Sequence, residues 1–370
     1  MNIVKREVNP FQVTKPVAPG EVLGRDVEIE LLVDLAAQGN NARLIAPRRF
    51  GKTSLINRVQ TQLEDTGEWI PVYVDLLGIK SADDFAHRIE RAYSNALKGS
   101  WAKWFAARRR SLKPTLTAGG GPVPAAASVD LSGPAHASLV DNLDLPLVVA
   151  KKTGQRIHIV FDEFQELLSL PGEVDAVVRS CIQHHAQSAS YVFAGSQIGM
   201  MEQLFSDTKR AFYSQTRKVE LPPLDAEALG IYIDNRFDAT RRSITPEALG
   251  ALLDFTRGHP QRSMLAAHFL WEACDADGQA DLAEWAVARD ATMESVDDEL
   301  RSTWSTIKPR DQATLKAIAS GSGPYSRASG SSRGKAVGDS LDRLAKDGII
   351  AKRGKEWTIV DPLLEAWLGK

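Results

Sequence analysis

Gly51-Lys52-Thr53 stands where a short apolar stretch, Leu44-Ile45, gives way to a helical pattern carrying Leu55, Ile56, Val59 and Leu63. A turn of this kind aims several backbone N–H groups and the positive end of a helix dipole at one small volume, which suits an anion. Lys52 adds a full charge for the β- and γ-phosphates of a nucleotide, and the Thr53 hydroxyl is placed to ligate Mg²⁺. Ala46, Pro47, Arg48, Arg49, Phe50, Gly51, Lys52, Thr53 and Ser54 therefore form a candidate phosphate cradle. For Arg48 and Arg49 the sequence leaves three roles open: contact with phosphate, contact with a neighbouring subunit, and simple solvation.

The spacing is that of the P-loop, Gly, four residues, then Gly-Lys-Ser/Thr, with Ala46 in the first glycine position. That exchange requires φ to stay below zero at Ala46. A second stretch, Arg156-Ile157-His158-Ile159-Val160-Phe161-Asp162-Glu163, reads as a buried strand that ends in two carboxylates. Acids at the C-terminal edge of a parallel strand lie on the side of the sheet where ligands bind. Asp162 suits Mg²⁺ and Glu163 suits polarisation of an attacking water, while a helix-capping pair is the plainer alternative.

Together, Ala46–Thr53 and Phe161-Asp162-Glu163-Phe164-Gln165 resemble the P-loop ATPases with an added catalytic glutamate. Within that group the chain is similar to the archaeal-type, AAA+-related ATPases that border the STAND signalling proteins. The resemblance implies an α/β parallel-sheet core, a helical lid and a C-terminal winged helix, with ATP and Mg²⁺ as cofactors. It places the strand Tyr191–Gly195 between the cradle strand and the acidic strand, so that Ser196 or Gln197 senses the γ-phosphate. It adds Gly24 and Arg25 of the Gly24-Arg25-Asp26 opening, and Pro260 of Gly258-His259-Pro260, as residues near the nucleotide. Where the family often carries Gly-Arg after its Phe-Tyr pair, Ser214-Gln215 follows Phe212-Tyr213, which leaves Arg210 and Arg217 as substitutes for an arginine finger.

Around these motifs the chain divides into an expected ATPase core at 1–222, a lid at 223–300 and a winged helix at 301–370. Residues 1–23 read as an extended lead-in, and Asp26 onward as a helix with Val27, Leu31, Leu32 and Leu35 on one face. Segment 98–140 interrupts the alternation of strand and helix; it reads either as a disordered linker or, as its Leu112/Pro114/Leu116 and Val129/Leu131 pattern favours, as a β-hairpin. At the C-terminal end the expected helices are Arg310–Ala319 and Lys335–Asp347, and the expected strands Ile349–Lys352 and Glu356–Val360.

With 43% hydrophobic and 25% charged residues, the composition is that of an ordinary globular protein and excludes a disordered or fibrous one. No apolar run reaches the length of a membrane span and no signal-like apolar core opens the chain, so a cytoplasmic protein without membrane contact is expected. Two cysteines without Cys-x-x-Cys spacing imply buried thiols. The formal charge of −2 hides an asymmetry: residues 301–370 hold 13 Lys and Arg against 7 Asp and Glu (+6), leaving 32 against 40 (−8) elsewhere. That basic end raises duplex DNA as a partner, met mainly through phosphates because Lys335/Asp339 and Asp342/Lys346 balance at i,i+4. The expected function is a slowly hydrolysing ATPase that acts as a nucleotide-driven switch on DNA. The alternative is a nucleotide-gated scaffold whose winged helix docks protein, through a partner or self-association, and whose hydrolysis is incidental.

Overall fold

The computed structural model describes residues 8–111, 134–325 and 331–369. From residue 8 the chain runs extended, apart from one short 3-10 turn, and then enters α1 (Asp26–Ala37). Next come β1 (Ala42–Ile45), α2 (Lys52–Asp65), β2 (Trp69–Asp75), α3 (Ala82–Ala96), α4 (Gly99–Ser111), α5 (Pro134–Leu143) and α6 (Leu145–Thr153). The core closes with β3 (Arg156–Asp162), α7 (Val174–Ile182), β4 (Ala189–Gly195), α8 (Ile198–Ser206) and β5 (Arg217–Glu220).

The five strands form one parallel sheet in the order β2-β3-β4-β1-β5. β4 lies between the cradle strand β1 and the acidic strand β3, as the resemblance implied. Six of the seven residues of β3 and all seven of β4 are buried, which explains why both are largely apolar: helices cover both faces. One face packs an aromatic cluster around Phe161, Phe164, Phe193, Phe205 and Phe212. The other packs α1 and α2 through Ile29, Leu32, Leu55, Ile56 and Val59.

On α1 the expected face is shifted. Val27 is exposed, and the helix buries Ile29, Leu32, Leu35 and Ala36 instead. A 12-residue helix with apolar residues on most sides has no unique face in sequence, so the sheet it meets decides. The expected hairpin at 112–131 lies outside the described residues.

Beyond the sheet come α9 (Ala226–Asp238), β6 (Ser243–Ile244), α10 (Pro246–Thr256), α11 (Pro260–Ala273), β7 (Gln279–Ala280) and α12 (Leu282–Thr306). Side-chain caps start most of these helices, among them Asp225, Thr245, His259 and the capping box of Asp281 with Glu284. The chain ends in α13 (Pro309–Ala319), α14 (Ser331–Lys346), an antiparallel pair β8 (Ile350–Arg353) and β9 (Glu356–Ile359), and α15 (Pro362–Leu368). These last elements make the winged helix, and the whole is a P-loop NTPase core followed by a helical lid and that winged helix. Among the described residues no helix is long and apolar enough to cross a membrane. Cys181 and Cys274 are free and buried, and burial pushes the Cys181 thiol up to about 11, which disfavours the thiolate.

Candidate active site

The cradle is built by a sharp reversal between β1 and α2. Arg49 has φ +67° and Gly51 φ +84°, the latter as the N-cap of α2, so two left-handed residues turn the loop. Ala46 is not among the residues with positive φ, which is why a methyl is tolerated in the first glycine position. The expected lead-in closes over the loop, with the Val17 amide donating to Ser54 Oγ at 3.2 Å.

Lys52 is buried at the start of α2 and meets both acids at the end of β3. Its Nζ lies 2.9 Å from Asp162 Oδ1 and 3.0 Å from Glu163 Oε1. Glu163 sits at φ 52°, immediately after the strand, a turn that swings its carboxylate toward Lys52 rather than along the sheet. Ser196 Oγ donates to Glu163 Oε2 at 2.8 Å, and Gln165 Nε2 donates to the same oxygen at 2.5 Å. Burial opposes charge on Glu163, but Lys52 and these two donors outweigh it and hold the carboxyl below the usual range. On the other acid, Tyr73 OH donates to Asp162 Oδ2 at 2.6 Å. Burial, then the neighbouring carboxylates, raise the Tyr73 hydroxyl well above its ordinary value, so it stays a donor.

A cavity of about 490 Å³ opens at this cluster, a size suited to a nucleotide. Its lining brings together Pro47, Arg48, Arg49, Phe50, Gly51, Lys52, Thr53, Ser54, Asp162, Glu163, Ser196, Arg25 and Pro260 from the sequence-derived set. Gly24, Ala46 and Gln197 are not part of that lining; Gln197 faces a second cavity beside Ser196. Arg25 is 4% exposed, and its two terminal nitrogens have no hydrogen-bond partner, with only Glu28 nearby at 3.7 Å. A buried guanidinium with open donors beside a cavity fits an anionic ligand. The Thr53 hydroxyl and Asp162 carboxylate are hard oxygen donors of the kind Mg²⁺ takes, in keeping with its habit of using few protein ligands.

Arg210 and Arg217 line neither this cavity nor the second. Arg210 pairs with Asp175 at 3.4 Å, and Arg217 begins β5 beside Ala42, at the end of the sheet opposite the cradle. Sequence reasoning missed Tyr73 and Gln165, which hold the two acids, and the walls formed by Gln12–Val17, Tyr232, Gln261 and Met264. The register Asp75↔Asp162 would have pointed to Tyr73, since alternate residues of β2 share a face beside β3.

No family model and no curated protein matches the sequence. Solved structures do. The chain is similar to a Walker-type ATPase of Pyrococcus abyssi at 15% identity, covering 97% of this chain and 99% of that one with a TM-score of 0.71. It is similar to the Orc2 protein of Aeropyrum pernix in its ADPNP–ADP complexes, at 14% identity, 96% and 94% coverage and a TM-score of 0.62. It also matches the Orc1 protein of Aeropyrum pernix in complex with DNA, at 18% identity, 96% and 93% coverage and a TM-score of 0.50. The fold is that of the archaeal-type, AAA+-related P-loop ATPases.

Proposed function

We propose that the protein binds ATP with Mg²⁺ and hydrolyses it slowly, using the cycle to move its lid and winged helix, with duplex DNA as the partner of the winged helix. The division is into a core at 1–222, a lid at 223–300 and a winged helix at 301–370. The observation that carries the reading is the cluster of Lys52, Asp162, Glu163 and Ser196 at the mouth of a nucleotide-sized cavity. Lys52 and the loop amides bind the phosphates, and Arg25 adds charge from the opposite wall. Thr53 and Asp162 would hold the metal ion, which would supply positive charge against that of the phosphates. Glu163 orients the attacking water and accepts its proton, and Ser196, with Gln197 behind it, lies where the γ-phosphate is sensed. For DNA, the support is the basic balance of 301–370 and the likeness to the Orc1 protein solved with DNA.

The test is ATP turnover by the purified protein with and without duplex DNA, repeated with Glu163→Gln. Turnover that needs Glu163 and rises with DNA supports the reading. Nucleotide binding with no turnover and no DNA affinity would favour the scaffold.

A further inference from the structure

The lid and the winged helix share one core and one set of ion pairs. Leu265, Met293, Val296 and Leu300 of α11 and α12 pack in the same cluster as Leu315, Leu341, Leu344 and Leu363 of the winged helix. Arg262, 1% exposed on α11, grips Asp361 at the start of α15 through both Nε and Nη2, and Nη2 also donates to Glu299 on α12 at 2.7 Å. Arg257 pairs with Glu365 at 2.6 Å, and Trp367 Nε1 donates to Asp297 at 2.8 Å. Helices α11, α12 and α15 are thereby tied into a single body.

Besides the lead-in, whose Asn9 Nδ2 donates to the His268 carbonyl of α11 at 3.1 Å, two of the places where that body meets the ATPase core bear on the phosphate loop. At one, α14 packs on α8, where the Cα of Gly199 lies so close to Lys346 that a Cβ there would overlap its side chain, and Ile198 meets Gly348. At the other, the phosphate loop itself reaches over: Arg49 Nη1 donates to Glu299 Oε1, the same oxygen that Arg262 uses. Beside it Phe50 meets the His259 ring edge-on at 4.7 Å. Arg49 also lines both cavities, the nucleotide-sized one and a second of about 870 Å³ between the loop and the winged helix.

We infer that Arg49 is a two-position cation that latches the lid and winged helix to the phosphate loop. On Glu299 it holds the body against the core; on the terminal phosphate of ATP it lets go. The argument is competition. Arg49 and Glu299 are 45% and 38% exposed, so their pair is held weakly. A polyphosphate in the adjoining cradle carries more charge than one carboxylate and accepts a guanidinium in the bidentate way that suits it. Arg262 does not lose its partners when Arg49 leaves, because Asp361 holds it from two sides, so the body moves whole rather than coming apart. The inference rests on the reading of the loop as a nucleotide site, and it adds which residue reports occupancy and to what.

The experiment uses the full chain with spin labels on cysteines introduced at Gln203 of α8 and Lys355 of the wing, both exposed, the native cysteines being buried. Adding the slowly hydrolysed analogue ATPγS with Mg²⁺ should shift the distance distribution outward. Glu299→Gln, which keeps an acceptor for Arg262 but removes the charge that holds Arg49, should shift it without nucleotide; Arg49→Gln should do the same, and ATPγS should then add little. Because phosphate no longer has to displace Glu299, the affinity of Glu299→Gln for a fluorescent ATP analogue should rise about two- to fivefold. If wild type binds the analogue but neither ATPγS nor Glu299→Gln changes the distances, the latch is overturned while the nucleotide site stands. If wild type does not bind the analogue, both readings fall.

Discussion

Lys52 and Glu163 touch each other, yet they should fail differently when altered. On the proposed function Lys52 meets charge that the nucleotide carries before any reaction, so Lys52→Ala should weaken ATP binding by about 10–100-fold, as read by fluorescent-nucleotide titration. In the proposed mechanism Glu163 acts on a water during attack, so Glu163→Gln should leave binding near wild type and lower turnover by about 10²–10⁴-fold. Unchanged turnover in that variant would remove Glu163 from its role. Tyr73→Phe deletes the donor that fixes the second oxygen of Asp162. It should raise the Mg²⁺ concentration for half-maximal turnover by about tenfold, and a magnesium titration of initial rates checks it. A different residue sets acid sensitivity. His158 lies inside β3 with no hydrogen-bond partner on either ring nitrogen, and burial lowers it to about 4 from 6.5. Its folded value is the lower one, so stability is full above pH 6.5 and drains as pH falls toward 4, costing about 2 kcal/mol by pH 5. Burial lowers His259 to about 4 as well, adding a second loss in the same window. His158→Leu should therefore narrow the gap in melting temperature between pH 7.5 and pH 5.

At the scale of elements, what the sequence made legible follows from how local the signal is. Strands β3 and β4 are largely apolar, and the place of β4 between β1 and β3 follows from motifs at their ends, so that part of the strand order agrees with expectation. The acids, Lys52 and Ser196 were legible for the same reason: each sits within a residue or two of a strand or helix end. Gln165 and Tyr73 were not, because their roles depend on side chains converging across strands. The face of α1 was misread at Val27, since only the sheet beneath the helix decides which apolar residues it buries. Gly195 shows how closely these elements meet: a Cβ there would overlap Gln165 Oε1 and come within 2.5 Å of Met201 Sδ. Gly195→Ala should displace Gln165 from Glu163 and so cut turnover by more than tenfold, with ATP affinity changed less than threefold; the two are separated by measuring kcat beside nucleotide titration. Equal loss of both would show that the methyl disturbs the cradle itself.

Over the whole molecule the uneven charge matters more than its near-zero sum. The +6 of residues 301–370 stands against −8 in residues 1–300, and that acidity lies in the lid: residues 223–300 hold 6 Lys and Arg against 16 Asp and Glu (−10), while residues 1–222 hold 26 against 24 (+2), so lid and winged helix attract each other as well as any polyanion. On α14 the apolar side is inward, with Leu341 and Leu344 buried, while Lys335, Asp339, Asp342 and Lys346 are exposed and sum to zero. Arg343 is already committed to Asp311, with Nη2 at 2.7 Å from Oδ1. On and beside α14 the basic groups left for DNA phosphates include those of the wing, Lys352, Arg353 and Lys355, and Arg333 at the helix start; the side chains of Arg333 and Arg353 lie outside the described residues. Binding through such groups releases counterions, so affinity for random duplex DNA should fall steeply with salt, with a log–log slope of roughly −0.9 per phosphate neutralised. Replacing Lys352, Arg353 and Lys355 together in the full chain should flatten that slope by about three units at most and weaken all sequences alike. Replacing Lys335 and Lys346 should matter less, because Asp339 and Asp342 offset them. A titration across a salt series decides it: absence of binding even at low salt would make the winged helix a protein-docking element, and its basic wing would then have to be explained by attraction to the acidic lid alone.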